Sequence, residues 1–352
     1  MNKLLIIGNG FDLAHGLETR YADFMLWYMN KAFLAHMDSI RENKFEDELI
    51  SIVGVFKIRE KFKSFAELNE FLSGYSAPHL NFKHEFIEKL FSNYLESRWV
   101  DIERAYFEQL IEYYQYCIKD NYSNKSYGIH LVREFHKVFE ALKTKLSEYL
   151  ATNDIGLADF QPSIESVFKR IINEKSERLK TQDLHEHYLI LNFNYTQTVN
   201  LYESVFPVNV SIINIHGTIS KDPEAIIFGY GDKLDNLYQQ IENLNENAFL
   251  DHLKYFWYLK NENYRRMISF CDTDKYKIYI LGHSCGLSDR VLLNLLFGHP
   301  NCSEIEIFYH DRKNSTNDFD EKIREISRHF SPENKDAMMR KIVSFEISKP
   351  LS

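Results

Sequence analysis

The sequence predicts an α/β protein in which a parallel β-sheet is interrupted by a large helical insertion. The apolar run at residues 4–7 ends in Gly8-Asn9-Gly10, which is typical of a buried parallel strand that leads into a tight turn. Short apolar runs return after Glu186 and alternate with helical stretches, as they do in a parallel sheet covered on both faces. Between these regions, from about residue 21 to residue 184, apolar residues follow the helical period.

Each later apolar run is assigned to a strand. The runs lie at residues 188–192, 211–215, 225–228, 277–281, 304–308 and 342–347. Together with the first strand they predict a Rossmann-like sheet in which five or more strands follow the helical excursion. Residues 1–20 and 185–352 are therefore expected to form the nucleotide-binding domain, and residues 21–184 the helical insertion subdomain. The pattern at residues 49–56 fits either a strand or a buried helix.

The composition excludes several classes of protein. With 42 Lys and Arg against 51 Asp and Glu, the formal net charge is −9. The sequence has no cluster of basic residues, which argues against a general nucleic-acid binder. The four cysteines form no C-x-x-C pair, which argues against a zinc ribbon or a disulfide framework. Neither a signal-peptide core nor a long apolar span is visible. We therefore expect a cytoplasmic protein that enters no membrane and holds no metal.

The first candidate ligand site is the loop after the first strand. Its residues are Gly8, Asn9, Gly10, Phe11 and Asp12. Glycines at the junction of a strand and a helix let the backbone approach a pyrophosphate. Position 13 holds a leucine where the dehydrogenase fingerprint G-x-G-x-x-G needs a third glycine. The loop therefore favours a nucleotide phosphate without hydride transfer, and a glycine turn without any ligand is the alternative.

Polar residues also follow three later strands. They are Asn192-Phe193-Asn194-Tyr195-Thr196, Asn214-Ile215-His216-Gly217 and Gly229-Tyr230-Gly231-Asp232. In an open parallel sheet the carboxyl ends of the strands meet at one edge, where ligands bind. Each group alone is ordinary turn chemistry. Together they predict one site that also contains the first glycine loop.

A further strand end carries a second glycine loop. Gly282-His283-Ser284-Cys285-Gly286 matches the G-x-S-x-G pattern of a nucleophile elbow. Under this interpretation Ser284 is the nucleophile of a hydrolase, and Asp311 and His329 are its candidate partners. A turn of small residues where the backbone approaches a ligand is the alternative. The sequence favours that alternative, because hydrolase chemistry leaves Asn194 and the first glycine loop without a role.

In chain order, these motifs resemble the sirtuin-type NAD-binding fold. Residues 8–12 with Gly16-Leu17 resemble its first glycine loop, Asn194-Tyr195-Thr196 its N-Y-D turn, and His216-Gly217 its H-G pair. Phe228-Gly229 resembles its F-G turn, and Gly282-His283-Ser284 with Asp289 its late ribose loop. Three segments more closely resemble the AbiH family of bacteriophage abortive-infection proteins: residues 7–13 (I-G-N-G-F-D-L), 99–103 (W-V-D-I-E) and 282–289.

The sirtuin resemblance implies a catalytic asparagine and a catalytic histidine, which correspond to Asn194 and His216. It implies that Gly8 and Gly10 hold the pyrophosphate of NAD, that Asn194 positions the attacking water, and that His216 accepts its proton. Ser284 and Asp289 are expected to hold the far ribose. The other residues expected to bind the nucleotide are Asn9, Phe11, Asp12, Tyr195, Thr196, Gly229, Gly282 and His283.

The sequence departs from the sirtuin pattern at two points. Thr196 stands in place of the acidic residue of the N-Y-D turn, and we expect Asp12 to complete the nicotinamide side instead. The zinc-ribbon cysteines of deacylases are missing, so protein deacylation is not expected.

The expected function is therefore phage defence by hydrolysis of NAD+, or of a related nucleotide, at the nicotinamide–ribose bond. A phage-derived trigger and a homo-oligomer are both compatible with this role. A sensor that binds NAD or another nucleotide without hydrolysing it is the first alternative, and Thr196 favours it. A serine hydrolase that uses Ser284 is the second alternative.

Overall fold

The computed structural model describes residues 1–38, 44–58, 60–75, 77–96, 101–119, 122–152, 158–174, 186–219, 226–232, 236–312 and 316–351. Trp99 and Val100 of the W-V-D-I-E segment, and the predicted strand start at Ala225, lie outside these ranges. The strands are β1 (Asn2–Ile7), β2 (Lys44–Glu46), β3 (Ile50–Val53), β4 (His79–Phe82), β5 (Tyr188–Asn192), β6 (Val210–Asn214), β7 (Tyr276–Leu281) and β8 (Cys302–Phe308).

The α-helices of the described residues are α1 (Asn9–Ala14), α2 (Tyr21–Asp38), α3 (Phe65–Leu72), α4 (Glu85–Leu95), α5 (Ile102–Cys117), α6 (Tyr122–Leu150), α7 (Pro162–Asn173), α8 (Asn236–Asn243), α9 (Lys254–Trp257), α10 (Asn263–Thr273), α11 (Arg290–Gly298), α12 (Phe319–Arg328) and α13 (Lys335–Lys341). Short 3-10 helices lie at Thr198–Val205, Asn247–Leu250, Tyr258–Lys260, Leu287–Asp289 and Pro332–Asn334. None of the helices described above is long and apolar enough to cross a membrane.

The main sheet has five parallel strands in the order β6-β5-β1-β7-β8. In β1, Lys3 pairs with Tyr188 of β5, and Asn2 pairs with Tyr276 of β7. All six positions of β1 are buried, as expected for a central strand with helices on both faces. The predicted α/β class with a parallel sheet is confirmed. In the described residues four later strands join β1, rather than the five or more that we expected.

The predicted strand at residues 225–228 is wrong in the part that the structure describes. Ile226 forms one isolated antiparallel bridge with Gly217, and no strand follows it up to Asp232. Ile226, Ile227 and Phe228 are nonetheless all buried. The apolar run therefore indicates that this segment is buried in the core, although it does not form a strand of a sheet.

The predicted strand at residues 342–347 is also wrong. Ile342 makes a single parallel bridge to Ile305, and the backbone N–H of Val343 donates to the Ile305 carbonyl group. The chain then turns, because the N–H of Ile347 donates back to the Ser344 carbonyl group. Ile347 is 58% exposed, so this end of the run does not extend the sheet.

Residues 21–184 contain α2 to α7 and also an antiparallel sheet of three strands in the order β2-β3-β4. The pattern at residues 49–56, which sequence alone left open, contains the strand β3. Helices α2, α5 and α6 share one core, in which Phe33, Leu110 and Phe135 are fully buried. Helix α7 packs instead on the parallel sheet, where its Phe168 belongs to the same cluster as Leu5.

Candidate functional site

A cavity of about 1210 Å³ lies at the carboxyl ends of the parallel strands. Its wall is formed by the loops that follow β1, β5, β6, β7 and β8 and by the helices α2, α5, α6 and α12. Twelve of the fourteen predicted site residues line it: Gly8, Asn9, Gly10, Asp12, Asn194, Tyr195, Thr196, His216, Gly282, His283, Ser284 and Asp289. The topology of an open parallel sheet accounts for this convergence, because residues distant in sequence meet where the strands end.

Phe11 and Gly229 do not line the cavity. The Phe11 ring is fully buried and lies 4.5 Å from the His15 ring, between centroids. Gly229 has a φ of +155°, and a Cβ atom there would overlap the carbonyl oxygen of His252. Phe11 therefore serves the core, and Gly229 serves the close approach of two backbone segments.

The two glycine loops pack directly on each other. The N–H of Gly10 donates to the Gly282 carbonyl group at 2.8 Å, and a Cβ atom on Gly10 would lie 2.7 Å from that oxygen. Gly282 has a φ of +72°, and a Cβ atom there would overlap the backbone nitrogen of Phe11. These glycines are thus required by the contact between the loops, whatever ligand the cavity binds.

Asp12 is a buried carboxyl group on the cavity wall. Its side chain is 1% exposed, and Oδ2 accepts a hydrogen bond of 2.6 Å from the Thr196 hydroxyl group. Oδ1 has no hydrogen-bond partner among the described residues. Burial raises the pKa of Asp12 to about 6, although the neighbouring Thr196, Thr198 and Asn194 side chains lower it. The carboxyl group of Asp12 therefore lies beside Thr196, and its role on the nicotinamide side stays a prediction.

Asn194 is fixed by the ends of neighbouring strands. Its Nδ2 donates to the Gly8 carbonyl group at 3.1 Å, and its backbone N–H donates to Oδ1 of Asn192 at 3.1 Å. Asn192 in turn donates through Nδ2 to Oδ1 of Asn214 at 2.9 Å. The amides at the ends of β5 and β6 therefore hold Asn194 against the first glycine loop.

His216 is 4% exposed, and both of its ring nitrogens face protein groups. Nδ1 lies 3.1 Å from the Phe193 carbonyl oxygen, which can only accept, so Nδ1 carries the hydrogen. Nε2 lies 2.9 Å from the Tyr258 hydroxyl group and 3.2 Å from Oδ1 of Asp289. Burial, together with the nearby Lys254 ammonium group, lowers the pKa of His216. In the neutral ring Nε2 accepts from the Tyr258 hydroxyl group, and in the protonated ring Nε2 donates to Oδ1 of Asp289.

A buried ion cluster connects the helical wall to His216. The Lys254 ammonium group is 2.8 Å from Oε2 of Glu103 and 2.8 Å from Oδ1 of Asp289. Burial raises the pKa of Glu103, and Lys254 opposes this effect. Burial also raises the pKa of Asp289, but Lys254 and His216 have the larger effect and hold this pKa well below its ordinary value. Burial lowers the pKa of Lys254, but the Asp289 and Glu103 carboxylates have the larger combined effect and raise it above its ordinary value.

The cluster contains residues that sequence reasoning did not identify. Glu103 follows the N-cap residue Asp101, whose carboxylate accepts from the backbone N–H groups of Glu103 and Arg104. The W-V-D-I-E segment was a signal for this position. Lys254 and Tyr258 belong to no recognisable motif, so no pattern in the sequence marks them.

His283 faces the same cluster from the second glycine loop. Its Nδ1 accepts from the backbone N–H of Cys285 at 2.9 Å, so in the neutral ring Nε2 carries the hydrogen. That nitrogen lies 3.6 Å from Oδ2 of Asp289. Asp289 is therefore placed between two histidines and one lysine.

The geometry around Ser284 does not form a catalytic triad. The positive φ angles in this loop are at Gly282 (+72°) and Cys285 (+59°), not at the serine. His329 is fully buried, and its Nε2 lies 2.8 Å from the Cys285 carbonyl oxygen. Asp311 is exposed and pairs with Asn317 in an isolated bridge. His329 is therefore engaged elsewhere, and no hydrogen bond or ion pair given for the described residues joins Asp311 to His329 or to Ser284.

The described residues contain no group of three or more His, Cys, Asp or Glu side chains arranged to hold a metal ion. The polar side chains of the lining residues are instead carboxylates, histidines, hydroxyl groups, amides and basic groups, the last at Arg20, Arg104, Arg312, Lys322 and Arg328. This donor set is suited to an organic ligand with hydroxyl groups and a polar ring.

The fold and the cavity define an α/β protein with a ligand crevice at the carboxyl edge of an open parallel sheet. The family model of the bacteriophage abortive infection protein AbiH matches residues 4–311. The chain belongs to the AbiH family, so the predicted resemblance to AbiH is confirmed, and its role is in phage abortive-infection defence. No curated protein matches the chain.

Proposed function

We propose that this protein hydrolyses NAD+, or a related nucleotide, at the nicotinamide–ribose bond as a step of phage defence in the cytoplasm. The observation that carries the proposal is the meeting of Asn194, His216 and Asp12 on one cavity at the sheet edge. Ligands of open α/β sheets bind at this edge. A volume of about 1210 Å³ suits a dinucleotide, since pockets for drug-sized ligands have about 300–1,000 Å³.

The reaction needs surroundings that favour positive charge on the ribose. Cleavage passes through an oxocarbenium-like ribosyl cation, and nicotinamide leaves as a neutral molecule. Asp12 and Asp289 are buried and line the cavity, so their carboxylates act in a medium of low dielectric constant. Because nicotinamide leaves as a neutral molecule, its departure needs little acid catalysis.

Asn194 and His216 orient the reacting groups in this proposal. Asn194 is held by its bond to the Gly8 carbonyl group, and its amide oxygen can accept from water or from a ribose hydroxyl group. His216 is held by Phe193 and Tyr258. Its role as the proton acceptor stays a prediction.

The test is the NAD+ level over time in cells that express the protein and are challenged with phage, because the proposed trigger comes from the phage. We expect NAD+ to fall with the wild type and to stay constant with Asn194→Ala and His216→Gln. The glutamine keeps a polar atom near Tyr258 and limits the loss of packing. Mass spectrometry should show nicotinamide and ADP-ribose in equal amounts.

A matched control is His299→Gln. His299 lies outside the cavity, and its Nε2 pairs with the exposed Asp272 at 3.2 Å. This variant should consume NAD+ as the wild type does. Constant NAD+ in wild-type cells that still resist the phage would remove the proposal.

A nucleotide sensor is the second candidate function. It is favoured by the occupation of both ring nitrogens of His216 by protein groups and by Thr196 in place of an acidic residue. A sensor should bind NAD+ in a calorimetric titration without releasing nicotinamide. Binding by the wild type with no product, and phage protection retained in His216→Gln, would favour the sensor over the hydrolase.

A further inference from the structure

The cavity contains one buried charged atom that no described residue pairs. Oδ1 of Asp12 has no hydrogen-bond partner in the described part of the chain, whereas Oδ2 is fixed by the Thr196 hydroxyl group. A buried carboxylate oxygen without a partner is costly. Asp12 lines the cavity, and a water molecule or ligand bound there would supply the partner that this buried oxygen lacks.

The other buried acids and the histidine beside the site are already engaged. Asp289 and Glu103 both pair with the Lys254 ammonium group at 2.8 Å. Nε2 of His216 faces the Tyr258 hydroxyl group at 2.9 Å. A general base must have a free lone pair within reach of the proton that it removes, and Asp12 meets this condition better than His216 does.

We infer that Asp12, and not His216, accepts the proton of the attacking water; this inference rests on the proposed hydrolysis of NAD+. The neighbouring Asn194 amide orients the water, and Thr196 holds the carboxylate in place through Oδ2. The sequence assigned Asp12 to nucleotide binding, so the role of base is new.

The step balances without a further reactant. The bond between the water oxygen and C1′ of the ribose forms as the bond between C1′ and the nicotinamide nitrogen breaks. The electron pair of the broken bond goes to the nicotinamide nitrogen, which becomes neutral. The proton of the water moves to Oδ1 of Asp12 and later to solvent, so the products are nicotinamide, ADP-ribose and one proton.

The ionisation of Asp12 fits this task. Its pKa of about 6 leaves it deprotonated at neutral pH and close to the operating pH, where a general base works best. Other titratable groups line the cavity, and none of them forms an ion pair with Asp12 among the described residues. They are Arg20 and Tyr21 at the start of α2, Tyr94 from α4, Asp101, Glu103 and Arg104 at the start of α5, Tyr195, His216, His283, Asp289, His310 and Arg312 from the strand-end loops, and Asp318, Glu321, Lys322, Glu325 and Arg328 from α12 and its N-cap.

The test is the pH dependence of kcat/KM for NAD+ hydrolysis, measured with protein purified from phage-challenged cells. We expect the wild-type rate to fall on the acid side with a midpoint near pH 6. Asp12→Asn should lower kcat/KM by about 10²- to 10⁴-fold and abolish this acid limb. Asp272→Asn, which changes an exposed acid on α10, should keep the limb.

A second variant tests the same assignment without removing the carboxylate. The hydrogen bond from Thr196 lowers the pKa of Asp12, so Thr196→Val should move the acid limb to higher pH. Loss of the limb in His216→Gln, together with its retention in Asp12→Asn, would assign the base to His216 and overturn the inference. Absence of NAD+ hydrolysis by the wild type would instead overturn the proposed function itself.

Discussion

Asp12→Asn should make the protein more stable at neutral pH although it removes the proposed base. Asp12 is 1% exposed, and burial raises its pKa from the ordinary value of 3.8 to about 6. The carboxylate is therefore less favourable in the folded state than in the unfolded state at pH 7. Asparagine has the same shape, and its amide oxygen can still accept from the Thr196 hydroxyl group.

The magnitude follows from the two pKa values. Between pH 3.8 and about pH 6 the folded state binds more protons at Asp12 than the unfolded state does, so stability decreases as the pH rises through this window. The contribution is fully present below the unfolded pKa and is lost above the folded pKa. A difference of about 2 between the pKa values corresponds to about 3 kcal/mol at pH 7.5, and to about 1 kcal/mol at pH 4.5.

The assay is urea denaturation of the wild type and of Asp12→Asn at both pH values. We expect the variant to have a larger free energy of unfolding by about 3 kcal/mol at pH 7.5 and by about 1 kcal/mol at pH 4.5. The exposed Asp272→Asn control should show no such pH-dependent gain. An increase in the free energy of unfolding that is the same at both pH values, or a decrease at pH 7.5, would refute the reasoning that burial of the charged Asp12 carboxylate destabilises the folded state.

Three further variants probe other parts of the site. Lys254→Met removes the lysine that pairs with both Glu103 and Asp289 and should lower the free energy of unfolding by about 3–5 kcal/mol in urea. Gly282→Ala should lower the free energy of unfolding by about 3 kcal/mol or more. The control Gly16→Ala, at a φ of +78° with open space around its Cβ position, should lower it by about 1–2 kcal/mol. Equal losses would contradict the importance of the contact between the loops. A fluorophosphonate probe should leave Ser284 unlabelled, and stoichiometric labelling detected by mass spectrometry would revive the serine hydrolase.

The sheet and the convergence of its loops could be predicted because both depend on local patterns. Runs of apolar residues marked β1, β5, β6, β7 and β8, although in the edge strand β6 only Ile213 is buried. The same signal failed at residues 225–228 and 342–347, since an apolar run shows that a segment is buried and not that it pairs with a strand. Polar residues after the strands could be placed on one edge by topology alone.

The ion cluster behind His216 could not be predicted in the same way. Lys254 lies in a short helix between elements of the second half of the chain, and nothing around it distinguishes it from an exposed lysine. Its role depends on tertiary contacts with Glu103 and Asp289. The unpaired Oδ1 of Asp12 is likewise a property of the folded protein, because sequence specifies which polar groups exist and not which of them remain without a partner.

The central position of β1 constrains the order in which the protein can fold during synthesis. Lys3 pairs with Tyr188 of β5, and Asn2 pairs with Tyr276 of β7. The first strand therefore cannot pair with both neighbours until the ribosome has added the intervening chain, at about 5–20 residues per second. The helices α2 to α6 can begin to fold from local contacts during this delay, but their core also contains Phe228, Tyr238 and Leu253 and is complete only when those residues have been added. The cavity floor therefore closes only after β7 has emerged, and a nascent chain carries no complete site until translation is far advanced.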